Sequence, residues 1–360
     1  MIRYNYPKHF CSLPLFLLFI ATSFVLGEEP PHYQEHFDLS YYLDGSGKRL
    51  QANSKESWEI RRQHIVFSLE QAMGSFPRPE KPVPLEMKVL EETRIGKLTR
   101  KLVSYHTDSP QDVVTAYLFL PAGEADQKLP AVLCLHQTTR IGKGEPAGLG
   151  TRLDLAHALQ LAERGFVTLA PDYPSFGDYK YDFDPKHGYV SGSMKAVFDN
   201  VRAIDLLVSL PQVDHRRIGC IGHSLGGHNT LLTAVFDSRI KAVVTSCGFT
   251  TFQKDDMPSW TGPVYMPLIA SKFGNDANRL PFDYPEILAA IAPRSIFVCA
   301  PTKDDDFDVS GVKDCVASAR PIFKLLGNEH GLVAEYPEAS HSFPAETRRH
   351  AYEFLEQELR

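Results

Sequence analysis

From residue 129 to its end the chain switches repeatedly between two apolar rhythms, and this alternation restricts its fold more than any other feature. "LPAVLCLH", "FVTLAPDYP", "RIGCIGHS", "IKAVVTSCG", "RSIFVCAP" and "GLVAEYPE" are short, nearly continuous apolar runs. A strand reads this way when both its faces are covered, because neither alternating set of side chains then meets water. Between them lie "RLDLAHALQLAERG", "MKAVFDNVRAIDLLVSL", "GGHNTLLTAVF", "VKDCVASARPIFKLL" and "ETRRHAYEFLEQEL", with apolar residues at helical spacing. Such stripes belong to helices lying on a sheet. Strand and helix in series give an α/β, doubly wound and mostly parallel sheet. In that architecture functional residues collect beyond the C-terminal ends of the strands.

Upstream the period changes. "LEMKVLEETR", "LTRKLVSYH" and "DVVTAYLFLP" alternate or are rich in β-branched residues, and are expected as antiparallel N-terminal edge strands. "KESWEIRRQHIVFSLEQAMG" has helical spacing and ends on Gly74, ahead of a Pro-rich connector that cannot continue a helix. Residues 28–84 are thus read as an N-terminal extension with one helix, and 85–360 as the main domain. Residues 249–290 break the alternation with Pro, Asp and aromatics and are read as an insertion forming a pocket wall, since long connections in compact domains are usually functional. Residues 1–27 carry Arg3 and Lys8, then an uncharged apolar run up to Gly27. This is the plan of a cleaved signal peptide, and the run is shorter than the roughly 20 residues a membrane span needs. A secreted or periplasmic protein without a stable membrane span is expected.

"GHSLG" at Gly222–Gly226 places a serine between two glycines. It follows a strand-like run and precedes a helix-like one, the setting of a nucleophile elbow. A serine hydroxyl needs a base to become a useful nucleophile. On this architecture an acid and a histidine should follow in that order, each after a later strand. "SIFVCAPTKDDDFD" supplies Asp304, with Asp305 and then Asp308 as alternatives, and "LVAEYPEASHSFP" supplies His341. An oxyanion requires two backbone N–H donors. Leu225, next after Ser224, is one candidate. Gln137, with Thr138 as the alternative, is the other, in the loop after "VLCLH". His136, His223 and His228 are expected to pack or orient rather than react.

The motifs "LCLHQTT", "APDYPSFGD", "GHSLGGHN", "KDDDFD" and "SHSFP", in this order, resemble an α/β-hydrolase. They are most similar to exported bacterial esterases of the acetyl xylan esterase and dienelactone hydrolase-related group, over roughly residues 85–360. The resemblance implies the α/β-hydrolase fold and a serine esterase, often acting on acyl groups carried by carbohydrate. Ser224, Asp304 and His341 stand at its triad positions. Gln137 departs from the common His-Gly pattern of the oxyanion loop. The expected partner is a small-molecule ester or an acylated carbohydrate, with Trp260 and Tyr173 as candidate substrate contacts. A lactonase, peptidase or polyester hydrolase is the alternative chemistry, and a non-catalytic binding protein the alternative class.

Composition narrows the remaining choices. The formal net charge is −6 and no basic stripe occurs, which argues against nucleic acid and against attraction to anionic lipid. The six cysteines show no metal-ligand spacing, and no His-Glu-x-x-His motif occurs. Neither a metal nor another cofactor is expected. Arg140 and Lys143 are expected in a solvated loop, with contact to an acidic sugar as the other possibility.

Overall fold

The computed structural model describes residues 31–122 and 128–360. The expected signal segment, residues 1–27, lies outside the described residues. In chain order the elements are β1 (Tyr41–Leu43), β2 (Arg49–Gln51), α1 (Lys55–Met73), β3 (Lys88–Ile95), β4 (Leu98–His106), β5 (Val113–Pro121), β6 (Leu129–Leu135), α2 (His157–Glu163), β7 (Val167–Pro171) and α3 (Gly192–Ser209). There follow β8 (Val213–His223), α4 (Leu225–Phe236), β9 (Ile240–Ser246), α5 (Leu268–Ser271), α6 (Tyr284–Ile291), β10 (Ser295–Cys299), α7 (Val309–Leu325), β11 (Leu332–Glu335) and α8 (Ala345–Leu359).

Nine strands form one sheet in the order β11-β10-β9-β8-β6-β7-β5-β4-β3. The five pairings from β11 to β7 are parallel, and β5, β4 and β3 are antiparallel. This is the α/β-hydrolase fold. The apolar runs are continuous because side chains from both faces of the central strands are buried. Leu133, Cys220, Val243 and Val298 join the core beneath α3, α4, α6 and α7, whereas Val132, Ile221, Val244 and Phe297 join the core beneath α2 and α8. The chain leaves β6 toward β7 on one side and returns to β8 on the other. The crevice between β6 and β8 is therefore the switch point at which doubly wound sheets bind ligands.

Two expectations change. The helix expected over 152–165 is α-helical only at His157–Glu163, with a single 3-10 turn at Leu153–Leu155. There Arg152 pairs with Asp154, while its backbone N–H donates to Glu145 (3.2 Å). The segment 249–290 is not all insertion. Its last seven residues, with Ile291, form the eight residues of α6, opened by a capping box of Asp283 and Glu286 with Pro285 in the first turn. All eight are buried, so α6 is part of the body.

The N-terminal extension shares that body's core, because Trp58, Ile65, Leu69 and Met73 of α1 lie in the same apolar cluster as α6 and α7. Arg61, fully buried, donates to Glu286 of α6 at 2.6 Å, and His36 meets the second carboxylate oxygen at 2.9 Å.

Candidate active site

Ser224 stands between the C-terminal end of β8 and the first turn of α4, with φ 54° and ψ −122°. A non-glycine residue in this region is strained and persists only where its surroundings enforce it. Here the Ser224 N–H is tied to the Ser246 carbonyl at 2.8 Å. The flanking glycines are steric requirements. A Cβ on Gly222 would lie 2.2 Å from the Gly226 carbonyl carbon, and one on Gly226 would lie 2.2 Å from the Leu135 carbonyl oxygen. The elbow is thus wedged against β6. Ser224 Oγ makes no hydrogen bond among the described residues, and Ser224 lines an open cavity of about 370 Å³.

His341 and Asp304 come from loops beyond β11 and β10. His341 Nδ1 lies 2.9 Å and 3.1 Å from the two oxygens of Asp304. The Asp304 oxygen also accepts the N–H groups of Asp306 (3.0 Å) and Phe307 (3.2 Å). Burial pushes this carboxyl up, but the hydrogen bond and charge of His341 outweigh it and hold it below the usual carboxylate range. Burial likewise pulls His341 down, yet Asp304, Asp306 and Asp305 together raise it above the ordinary histidine value. Asp305 makes no hydrogen bond to His341 and is exposed. Asp308 caps α7 by accepting from the Ser310 N–H at 2.7 Å. Asp306 was not singled out in the sequence, yet its carboxylate lies 3.5 Å from His341 Nε2.

The remaining histidines are structural in their contacts. His136 Nδ1 donates to the Gln137 carbonyl (2.6 Å), while Nε2 accepts the Tyr173 N–H (3.0 Å), so one tautomer fixes the loop after β6. His223 is hydrogen-bonded to Ser246 Oγ (3.0 Å), and its ring packs 4.9 Å from that of His341. His228 meets the Tyr284 hydroxyl at 2.5 Å and packs 4.6 Å from Trp260. Burial drives His223 well below the ordinary range and His228 to about 3, so both stay neutral.

Leu225 and Thr138 line the cavity, and the amides of Leu225, Gln137 and Thr138 make no hydrogen bond among the described residues. Gln137 itself is not on the cavity wall, and its side-chain Oε1 is buried without a partner. Trp260 does line the cavity, but it is 6% exposed, its Nε1–H donates to Asp255 (2.9 Å), and His228 covers its ring. Little of it is free to stack on a ligand. Tyr173 is not brought to the cavity. Its hydroxyl donates to the Val264 carbonyl at 2.8 Å, so it fastens the insertion to the body. Lys143 is also corrected. Far from being solvated, it is 3% exposed, and its ammonium donates to Asp172 (2.7 Å) and Asp178 (2.6 Å).

The opposite wall was not legible in the sequence. Asp255, Asp256, Asp305 and Asp306 surround Ser224 together with Tyr265 and Phe307. Burial pushes Asp255 up to about 6. Cys247, Asp304 and His341 bring a sulfur, an oxygen and a nitrogen within 4.8 Å of one another. These are metal-ligand atom types, but burial, with the nearby Asp304 carboxylate, holds the Cys247 thiol well above its usual range. A protonated thiol is a poor ligand, and this one points its hydrogen at the Ser342 carbonyl, 3.4 Å away. Among the described residues no helix is long and apolar enough to cross a membrane, and the five described cysteines are buried and unpaired.

A family model described as glucuronyl esterase of fungi matches residues 190–327. A 4-O-methyl-glucuronoyl methylesterase of Sodiomyces alcalophilus is 26% identical over 164 residues, 39% of this chain and 32% of that protein. The chain spans about a third of the length of the first curated relatives it matches. A glucuronoyl esterase from Solibacter usitatus superposes with a TM-score of 0.71 at 19% identity, over 92% of this chain and 99% of that one. An acetyl xylan esterase from Paenibacillus sp. R4 gives 0.57 at 18% identity, over 85% and 96%. At such identities the likeness is one of fold.

Proposed function

We propose that this chain, an α/β-hydrolase by fold, is an exported serine esterase that cleaves carboxylic esters of carbohydrate, with Ser224 as nucleophile, His341 as base and Asp304 as its partner. The observation that carries the reading is the His341 Nδ1–Asp304 contact of 2.9 Å, with the His341 ring packed 4.9 Å from that of His223, the residue before a serine held at positive φ. In the reaction His341 takes the Ser224 proton as Oγ attacks the ester carbonyl. Asp304 orients the ring and stabilises the imidazolium. The Leu225 amide and an amide of the Gln137–Thr138 pair receive the oxyanion. His341 then protonates the leaving alcohol, and the same groups activate water to release the acid. No cofactor enters these steps.

The glucuronoyl esterase likenesses support an ester of a glucuronic acid as the preferred substrate. That ester is neutral, so a cavity ringed by carboxylates does not repel it. Acetylated carbohydrate is the second reading, supported by the acetyl xylan esterase likeness. Release of acid from a methyl glucuronoyl ester and from acetylated xylan, measured side by side, separates the two. Ser224→Ala is expected to lower kcat by at least about a thousandfold on either. Equal rates for wild type and variant would overturn the assignment of Ser224.

A further inference from the structure

Thr138 lines two cavities. One is the cavity of Ser224, and the other, of about 460 Å³, is also lined by Thr139, Arg140, Phe176 and Lys180. Between them the Thr138 hydroxyl meets the Tyr265 hydroxyl at 3.3 Å, joining the loop after β6 to the insertion. The two cavities carry opposite charge. Four aspartates and no cation line the first, whereas Arg140 and Lys180 are the charged side chains lining the second. Among the described residues neither Arg140 nor Lys180 is in an ion pair, although the Lys180 charge, after that of Lys143, helps hold the Asp178 carboxyl below its usual range. Asp172, and Asp178 two residues before Lys180, are both engaged on Lys143, and Glu145, the carboxylate nearest to Arg140 in sequence, accepts the Arg152 N–H at 3.2 Å. Lys180 Nζ has only a long contact, 3.4 Å, to the Gly177 carbonyl.

We propose that the Arg140–Lys180 cavity is a binding subsite for a carboxylate-bearing sugar unit next to the esterified one. This rests on the reading of Ser224 as the nucleophile of a carbohydrate esterase. Opposite charges on the two sides of Thr138 fix the direction in which a chain lies. An anionic unit is repelled by the aspartate wall, whereas past Thr138 it finds a guanidinium able to take a carboxylate in bidentate fashion and an ammonium beside it. The subsite thus selects substrates that are acidic beside the ester and neutral at it.

The experiment compares wild type with the double variant Arg140→Gln/Lys180→Gln. Two oligosaccharide esters serve as substrates, identical except that the neighbouring sugar carries a carboxylate or the corresponding alcohol. Wild type is expected to favour the acidic ester by about tenfold in kcat/KM at low salt, through KM, with the preference fading at high salt. The double variant should show a ratio near one, and Arg140→Lys/Lys180→Arg should keep much of the preference. Equal KM values in wild type, or an undiminished preference in the double variant, overturn the subsite. Binding of the unesterified acidic oligosaccharide, measured by calorimetry, makes the test independent of turnover. Binding that is present in wild type and lost in the double variant supports the subsite even if neither ester is cleaved. That last result would overturn only the reading of Ser224.

Discussion

At the residue scale the arrangement turns on which of three consecutive aspartates faces the base. Asp304 accepts from the ring at 2.9 Å and is nearly inaccessible, while Asp305 points to solvent. Asp304→Asn is therefore expected to lower kcat by about 10³–10⁴-fold, as loss of a triad carboxylate does. Asp305→Asn should keep activity near wild type, and parallel kinetics on one substrate check both. Asp306 adds to the pH response, after Asp304. His341 is raised by the carboxylates around it, so in the free enzyme it loses its proton, and becomes a base, above the ordinary histidine pKa. Removing the Asp306 charge lowers that pKa. The acidic limb of kcat/KM against pH should then move to lower pH in Asp306→Asn, and an unmoved limb would refute the coupling. The sequence could name Ser224, His341 and the acidic turn, because each falls at a strand end. It could not choose among the aspartates or find Asp306, because one residue's step along a tight turn redirects the side chain without changing the pattern. Tyr173 and Lys143 misled for a similar reason. Their roles depend on Val264, Asp172 and Asp178, partners that no local rhythm reveals.

Among the elements, the elbow depends on two strands and one helix meeting closely. Gly226, the third residue after His223, sits against the Leu135 carbonyl at the end of β6. Gly226→Ala forces that contact apart, and because it is backbone on both sides, neither can swing away. A loss of about 1–3 kcal/mol in stability is expected. The fall in kcat should be larger than that of a substitution with equal loss elsewhere, because the loop carrying Gln137 and Thr138 moves with Leu135. Thermal unfolding alongside kinetics measures the two effects. Strands β3 to β11 were readable because hydrophobic period and length both signal them. The first turn of the helix expected at 152 and the identity of α6 were not. Side-chain pairing between Arg152 and Asp154 overrode the first. In the second, a capping box lay hidden in a stretch whose composition reads as loop.

For the whole molecule, the extension and the insertion cannot be considered separately. Glu286 opens the helix that ends the 249–290 segment, and it is held by Arg61 of α1 and by His36. Replacing it by Gln leaves the Arg61 guanidinium buried without a counter-charge, at a cost of about 3–5 kcal/mol by analogy with other broken buried pairs. Chemical denaturation should show a lower midpoint, with the extension and body still unfolding together. The parallel sheet also places the proposed catalytic groups at unequal depth. Ser224 leaves a strand paired on both sides, whereas His341 follows β11, an edge strand tied to β10 through only four residues. Edges open at lower free energy than centres. On gentle warming the base should detach while the nucleophile is still in place. Activity would then fade reversibly below the temperature of cooperative unfolding, and amide exchange would quicken first between residues 332 and 343.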